Sequence, residues 1–576
     1  MSLRAAKIRT TACPALRKHA YNKRQLSTTV PHEESDVVIV GGGPAGLALA
    51  SALGSSRLVK DNVRITLVEA GDLSKIREWV PPSGGFSNRV SSITNASRAF
   101  LTEIGAWSHI EESRTMPVEE MQVWDGISDA RIAFSASDAT LGTPSAQTEM
   151  ARLTENLNLQ RALLRHLSRM PSVELADKVK VNSIYKEERE QGSGWPLVQL
   201  SNGRVLRARL LVGADGFNSP VRTYAGIRSY GWAYDTQAIV ATLFHHPRTP
   251  FEPQNTVAYQ RFLPTGPIAF LPLSSEASSL VWSTKPPLAK ALIASDPAVL
   301  TSMINAAFRL PEVSLRYLHK QILEASEADA PLTPSQVNEE IAWRERSHGV
   351  DPHSAYSVTT MSQTAAGGVP PADAAALPPF VTSVQPDTVA CFPLRYNHAD
   401  MYIGEGRGAR TVLVGDAAHT VHPLAGQGLN MGLADVEALS RCIENALRVG
   451  GDIGLYTSLA PYARERYLEN HKIMAAVDKL HKLYALTSEP VVWARSVGLE
   501  VLNELDTVKA AIMMSAGSTS RNKTGPQALG WSVAANGIEN LARGISTARN
   551  VAEGVTGLVG AGVQGLLRQI AKSGRN

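Results

Sequence analysis

Glycines 41, 43 and 46 stand in the run Gly41-Gly-Gly-Pro-Ala-Gly46. An apolar stretch, DVVIV at 36–40, precedes them, and a helix-type stretch, PAGLALASAL, follows. This spacing suits a dinucleotide pyrophosphate. Gly41 permits the tight turn, Gly43 lets the backbone approach the phosphates, and Gly46 allows helix and strand to pack closely. The helix start adds unpaired N–H groups and the positive end of a dipole. Glu69, at the end of the second apolar run VRITLVEA (63–70), is placed to accept bonds from ribose hydroxyls.

Two further segments carry an acid directly after an apolar strand. Gly213-Ala-Asp-Gly-Phe-Asn-Ser-Pro-Val-Arg222 follows LLV, and by itself Asp215-Gly216 is only a turn signal. The segment from Val414 to Gly432, VGDAAHTVHPLAGQGLNMG, places Asp416 where it can bond a ribitol or ribose hydroxyl. Pro423, Gly426 and Gly428 let backbone lie close to a flat ring. A helix starting near Gly428 would aim its first amides at that ring and stabilise negative charge on its reduced form. His419 and His422 lack the third ligand that a catalytic zinc site requires. A second glycine pattern, Gly560 to Gly565, has too little chain after it for a strand and an acid.

These segments need a parallel sheet with helices to carry them. Strand, glycine turn, helix and strand over 36–70 make one βαβ unit of a doubly wound α/β sheet. Residues 151–170 carry a helical pattern, and 205–216 read as a strand ending in a turn. Alternating β-type runs over 231–285 suggest a separate antiparallel sheet domain. Residues 351–388, rich in Ala, Pro, Ser and Gly, read as a long loop. A helical run is expected from Leu433 to about Tyr484. The expected organisation is a Rossmann-like nucleotide-binding domain built from 35–115, 151–230 and 389–440. A substrate domain takes 116–150 and 231–388, and C-terminal helices take 441–516. A Gly/Ala-rich tail, 517–576, carries an amphipathic stripe from Ile538 to Ile570 at steps of three and four.

Composition narrows the function. The net charge is +4, yet residues 1–32 hold seven cations and no acid, so the rest is net negative. Nothing in the body argues for nucleic acid. The acid-free leader, with Ser and Thr, has the pattern of a mitochondrial presequence. Three cysteines (Cys13, Cys391 and Cys442) without CxxC spacing argue against a disulfide framework or zinc site. No uncharged apolar run reaches the ~18 residues of a spanning helix.

The three motifs, in this order, resemble those of the class A flavoprotein monooxygenases, whose fold is that of para-hydroxybenzoate hydroxylase. Within them the chain is most similar to the ubiquinone-biosynthesis hydroxylases, particularly the mitochondrial ring (C5) hydroxylases. RVSSITNASRAFL (89–101), MQVWDG (121–126), RFLPTGPIAFLPL (261–273) and FPLRYNHADMYI (392–403) support this, and the likeness runs from about Asp36 to about Ser515. The resemblance implies FAD. Gly41, Gly43, Gly46 and Glu69 would hold its ADP part, with Arg89 near the cofactor and Gln160 near the phosphates. Asp215 and Asp416 would lie along the pyrophosphate and ribityl chain, and Gly428, Leu429 and Asn430 against the ring. It implies an aromatic ring hydroxylase acting on a polyprenylated phenol through a flavin C4a-hydroperoxide made from O2, with no separate catalytic side chain. Electrons would come from ferredoxin and its reductase or from NAD(P)H. The protein would sit peripherally on the matrix face of the mitochondrial inner membrane, with other ubiquinone-biosynthesis proteins. Rival readings are a related oxygenase on another aromatic or an isoprenoid, and a flavin-free prenyl-binding protein of the Rab escort type.

Overall fold

The computed structural model describes residues 31–128, 130–136, 149–188, 194–246, 254–349 and 377–504. The expected leader, apart from its last two residues, and the tail with its apolar stripe lie outside them. So does most of the 351–388 segment.

Three sheets organise the described chain. The first runs β8 (Val173–Ala176), β2 (Ile65–Val68), β1 (Glu33–Val40), β11 (Val205–Gly213), β10 (Pro196–Leu200), β9 (Val181–Lys186), with β18 (Thr411–Leu413) also paired to β11. β8, β2, β1, β11 and β18 are parallel. Val37 to Val40 and Leu210 to Val212 are buried on both faces, as strands covered by helices on each side must be. The helices Pro44–Ser55 and Asn156–Leu167 supply part of that cover, with Leu47, Leu49, Leu163 and Leu164 in the core.

The second sheet runs β19 (His419–Thr420), β17 (Ala390–Ala399), β12 (Ser229–His245), β15 (Ala277–Thr284), β14 (Gly266–Pro272), β13 (Val257–Leu263), β5 (Glu120–Asp125), β6 (Arg131–Ser135), with β16 (Val381–Val384) also on β12. Its pairs are antiparallel except β13 with β5. Helices between Pro286 and Ser347 cover one face, where Trp282, Phe270 and Phe308 pack. The opposite face looks toward the third sheet, β3 (Val90–Thr94), β7 (Ala151–Glu155) and β4 (Thr115–Val118). Two helices, Tyr456–Tyr484 and Glu489–Glu504, close its far end over Val123 and Phe262.

Several elements differ from expectation. The helical pattern at 151–170 begins as strand β7, because Ala151 to Glu155 are claimed on both sides by β3 and β4. The run from Leu433 to Tyr484 is two helices, Gly428–Arg448 and Tyr456–Tyr484, broken at Gly450 with φ +68°. Within 351–388, expected as loop, Val381–Val384 is a strand. β17, expected in the nucleotide-binding part, pairs along β12 and joins the second sheet, so the long β12–β17 ribbon ties the two layers together.

Candidate cofactor and substrate site

The three sequence motifs emerge at neighbouring strand ends. Gly41 donates its N–H to Val68 O at 2.9 Å, Ala214 to Val40 O at 2.8 Å, and Val414 to Gly213 O at 2.9 Å. This is the carboxyl edge of a parallel sheet, where open α/β folds bind ligands.

The glycines do different work. Gly41 has φ +111°, and a Cβ there would lie 2.2 Å from Ala214 O. At Gly46 a Cβ would lie 1.9 Å from Gly41 O. Both positions are closed by protein backbone. At Gly43 a Cβ would meet nothing within 4 Å, so the space beside this backbone is open. The helix it begins has no side-chain cap and no acid in its first turn. Glu69, one residue past β2, accepts from Gly42 N at 2.5 Å and Gly71 N at 2.6 Å.

Asp215 and Asp416 sit on the next two loops. Asp215 accepts from Val221 N at 3.1 Å through Oδ2, while its Oδ1 is buried without a partner. Burial pushes its carboxyl above the ordinary aspartate range. Asp416 is crowded by protein, which raises its pKa by desolvation, with His419 opposing. Yet its side chain is accessible, the signature of an acid at the floor of a cleft. Arg222 ties the two loops together through Ala417 O at 2.7 Å and Phe217 O at 2.5 Å.

The helix Gly428–Arg448 starts beside them, again with no side-chain cap and no first-turn acid. A Cβ at Gly432 would stand 3.5 Å from Gly415 Cα and 3.8 Å from Ala45 Cβ, so the two helix starts meet through small residues. Leu429 is half-buried and packs on the first-sheet core. Asn430 is buried and clamps this helix to β3, donating to Ser92 O at 2.7 Å and accepting from Thr94 N at 3.1 Å. Arg89, just before β3, is exposed, and its guanidinium has no ion-pair partner among the described residues. Gln160 is half-buried on the helix packed against Pro44–Ser55.

Sequence reasoning missed what holds the third loop. Asp435, wholly buried, accepts from Gly415 N at 3.1 Å, Arg466 Nε at 2.9 Å and Asn470 Nδ2 at 2.9 Å. His419 Nε2 lies 2.6 Å from it. Desolvation opposes its charge, but His419 and Arg466 outweigh that and hold it well below the usual range. Asp435 follows Gly428 by two helical turns, which is the only signal the sequence offers. His422 turns elsewhere: its Nδ1 accepts from Leu424 N at 3.2 Å, and burial lowers its pKa to about 3.

The residues fit FAD. The open backbone at Gly43, the orphan Asp215 oxygen, the accessible acid Asp416 and two uncapped helix starts lie on adjoining loops at one edge of the sheet, a groove-forming set matched to phosphates, a polyol chain and an electron-accepting ring. A family profile described as FAD binding domain matches residues 34–330 and 380–475. The mitochondrial ubiquinone biosynthesis monooxygenase COQ6 of Schizosaccharomyces pombe is 37% identical over 86% of this chain and 94% of its own. The protein of that name from Homo sapiens is 35% identical over 83% of this chain and 91% of its own. Among solved structures, PqsL, a probable FAD-dependent monooxygenase from Pseudomonas aeruginosa, gives a TM-score of 0.53 at 21% identity, covering 81% of this chain and 100% of that one. The p-nitrophenol 4-monooxygenase PnpA from Pseudomonas putida gives 0.55 at 17%, covering 85% and 100%. These two share the fold. Profile and relatives together span every strand end that builds the groove, and the chain belongs to the FAD-binding monooxygenases of ubiquinone biosynthesis.

Proposed function

We propose that this protein hydroxylates the aromatic ring of a polyprenylated phenol or hydroxybenzoate on the way to ubiquinone. Bound FAD supplies the redox and oxygen-transfer chemistry. Gly43, Asp215, Asp416 and the Gly428 helix start hold it, with Glu69 on the ribose, Arg89 and Gln160 as further contacts, and Leu429 beside the ring. Asn430 acts by fixing that helix start to β3. The observation that carries the reading is that the third motif's loop packs on the second sheet, Leu424 against Phe262 and Tyr484, so apolar cover beside the ring position keeps water from it. A flavin-free binding role would leave the groove and the Asp215 oxygen without purpose.

The prenyl tail needs an apolar route. A small cleft beside the β13–β14 turn is lined by Phe262, Leu263, Pro264, Pro267 and Tyr484, with Thr236 and Lys285 at its polar side, and offers an entry for the tail. Each CH2 buried there is worth ~0.8 kcal/mol. O2 is the co-substrate. A ferredoxin system is proposed as the faster electron source, with NAD(P)H alone slower, on the resemblance to the mitochondrial ring hydroxylases. The relatives' names and the basic leader support a mitochondrial site. No helix of the described residues is long and apolar enough to cross a membrane. Peripheral contact at the matrix face, alongside other enzymes of the pathway, completes the proposal.

The test is genetic and chemical. A null strain should accumulate a prenylated phenol lacking one ring hydroxyl, and the next hydroxylated ring analogue should restore quinone synthesis. Normal quinone in the null strain would sink the substrate assignment. Rapid oxidation of NADPH without ferredoxin would overturn the donor assignment alone.

A further inference from the structure

Strand β13 alternates between two environments. Tyr259 and Arg261 face the helix layer: Tyr259 packs edge-on to Phe270, and Arg261 donates to Ala307 O at 2.9 Å and Leu310 O at 2.8 Å. Ala258 and Phe262 face the other way. Ala258 clusters with Val90 and Leu153 of the third sheet, and Phe262 with Leu424 and Tyr484. Gln260 lies between them on the same face.

That position is specific. Val90 follows Arg89 at the start of β3, and Leu424 belongs to the loop that leads into the Gly428 helix. The tip of that loop, Gly426, approaches β3 closely enough that a Cβ on it would lie 3.6 Å from Ser92 Cβ. Gln260 therefore faces the gap between β3 and this loop, where a flavin ring and its substrate would meet. Its cross-strand neighbours are apolar, Val123 on β5 and Ala269 on β14. Gln260 is only 4% exposed, and its carboxamide has no hydrogen-bond partner among the described residues. The amide atoms are not sealed off; they keep a little open surface in an otherwise apolar row, where a ligand's polar group can replace water.

We propose that Gln260 binds the oxygen substituents of the aromatic head group and sets which ring carbon faces the cofactor. This rests on the proposed substrate class. The carboxamide oxygen accepts a phenol O–H, and the NH2 donates to a ring carboxylate or alkoxy oxygen. The prenyl tail makes no demand on it. Gln260 is thus a specificity-determining residue, and the apolar row around it holds the ring flat.

The test titrates FAD-loaded protein with two short-chain probes and follows the flavin absorbance. One probe is a prenylated 4-hydroxybenzoate; the other is the same prenylated benzene without ring oxygens. Gln260→Met keeps the side-chain length, and Gln260→Glu keeps the shape. Gln260→Met should retain FAD and weaken the oxygenated probe about tenfold, the scale of one lost hydrogen bond, while leaving the oxygen-free probe unchanged. Gln260→Glu should weaken the anionic probe further. Turnover by Gln260→Met should shift from ring product toward hydrogen peroxide. Wild-type affinity of Gln260→Met for the oxygenated probe overturns the inference, as does equal weakening of both probes, which marks a packing role. A wild-type protein blind to both probes overturns the substrate class and the inference with it.

Discussion

Gly415 donates its backbone N–H to the Asp435 carboxylate across 3.1 Å, so the turn that presents Asp416 is held from behind by the helix it leads into. Arg466 and Asn470, from the long helix Tyr456–Tyr484, complete the clamp. Removing one member of such a buried charged set leaves the others unpaired, at a cost of about 3–5 kcal/mol. Asp435→Ala should therefore melt several degrees below the parent and lose FAD on gel filtration. Asn470→Ala, which removes one neutral partner, should lose less on both counts. A parent-like melting curve and flavin content for Asp435→Ala would show that the clamp is dispensable.

The glycine loop predicts two different failures from similar substitutions. At Gly43 a side chain enters open space, so Gly43→Val should leave the flavin-free protein as stable as the parent while excluding the pyrophosphate. At Gly46 a single methyl meets Gly41 O at 1.9 Å, so Gly46→Ala should destabilise the flavin-free protein itself. Thermal melts with and without excess FAD separate the two. Gly43→Val should lose the shift that FAD produces; a full shift would remove Gly43 from the phosphate site.

The contrast shows what could be read from the chain alone. The three motifs announce themselves because each couples an apolar strand to glycines and an acid within a few residues, and local spacing suffices to see them. Asp435 does not, because its partners Gly415, Arg466 and Asn470 lie 20, 31 and 35 residues away and meet it only once two helices cross. Gln260 was hidden in a run that reads as ordinary sheet, and only its neighbours' contacts reveal which face it takes. Strand β16 and the placement of β17 depend on pairing with β12, a long-range choice that neither segment's composition records. The helices between Pro286 and Ser347 drew no specific expectation, because the β-type runs before them dominated the reading of that domain.

Buried histidines set an acid limit. His319, packed near Trp282, is lowered to about 4 by burial alone, and His422 to about 3 by burial and by His481. Their unfolded values are near 6.5, so between those limits the unfolded chain binds more protons. Stability is then full above about pH 6.5 and falls as pH drops toward 4 and 3. For His319 alone the loss should approach roughly 3 kcal/mol. His319→Phe should flatten the decline of the melting temperature between pH 6.5 and 4. An unchanged slope would place the acid sensitivity on other groups.

The cleft proposed for the prenyl tail depends on a second buried charge pair. Arg495 grips Asp125 at 2.7 and 2.9 Å, with both side chains at most 3% exposed. The same guanidinium donates to Leu483 O at 3.1 Å and Leu486 O at 2.7 Å, capping the helix that carries Tyr484. Tyr484 in turn stacks on Phe262 at 4.0 Å and forms one wall of the cleft. Arg495→Met would leave Asp125 charged in a dry site and free the Tyr484 carbonyl end. It should speed proteolysis between the helices, near 485–488, and weaken binding of long-tailed substrate more than that of a tail-free head group. FAD content should hold, because no flavin-groove residue touches the pair. Adding Asp125→Leu should recover part of the stability, since an apolar pair avoids the stranded charge that makes the single change costly. If the double variant is less stable than Arg495→Met alone, the Asp125 bond to Ile127 N matters more than its bond to Arg495.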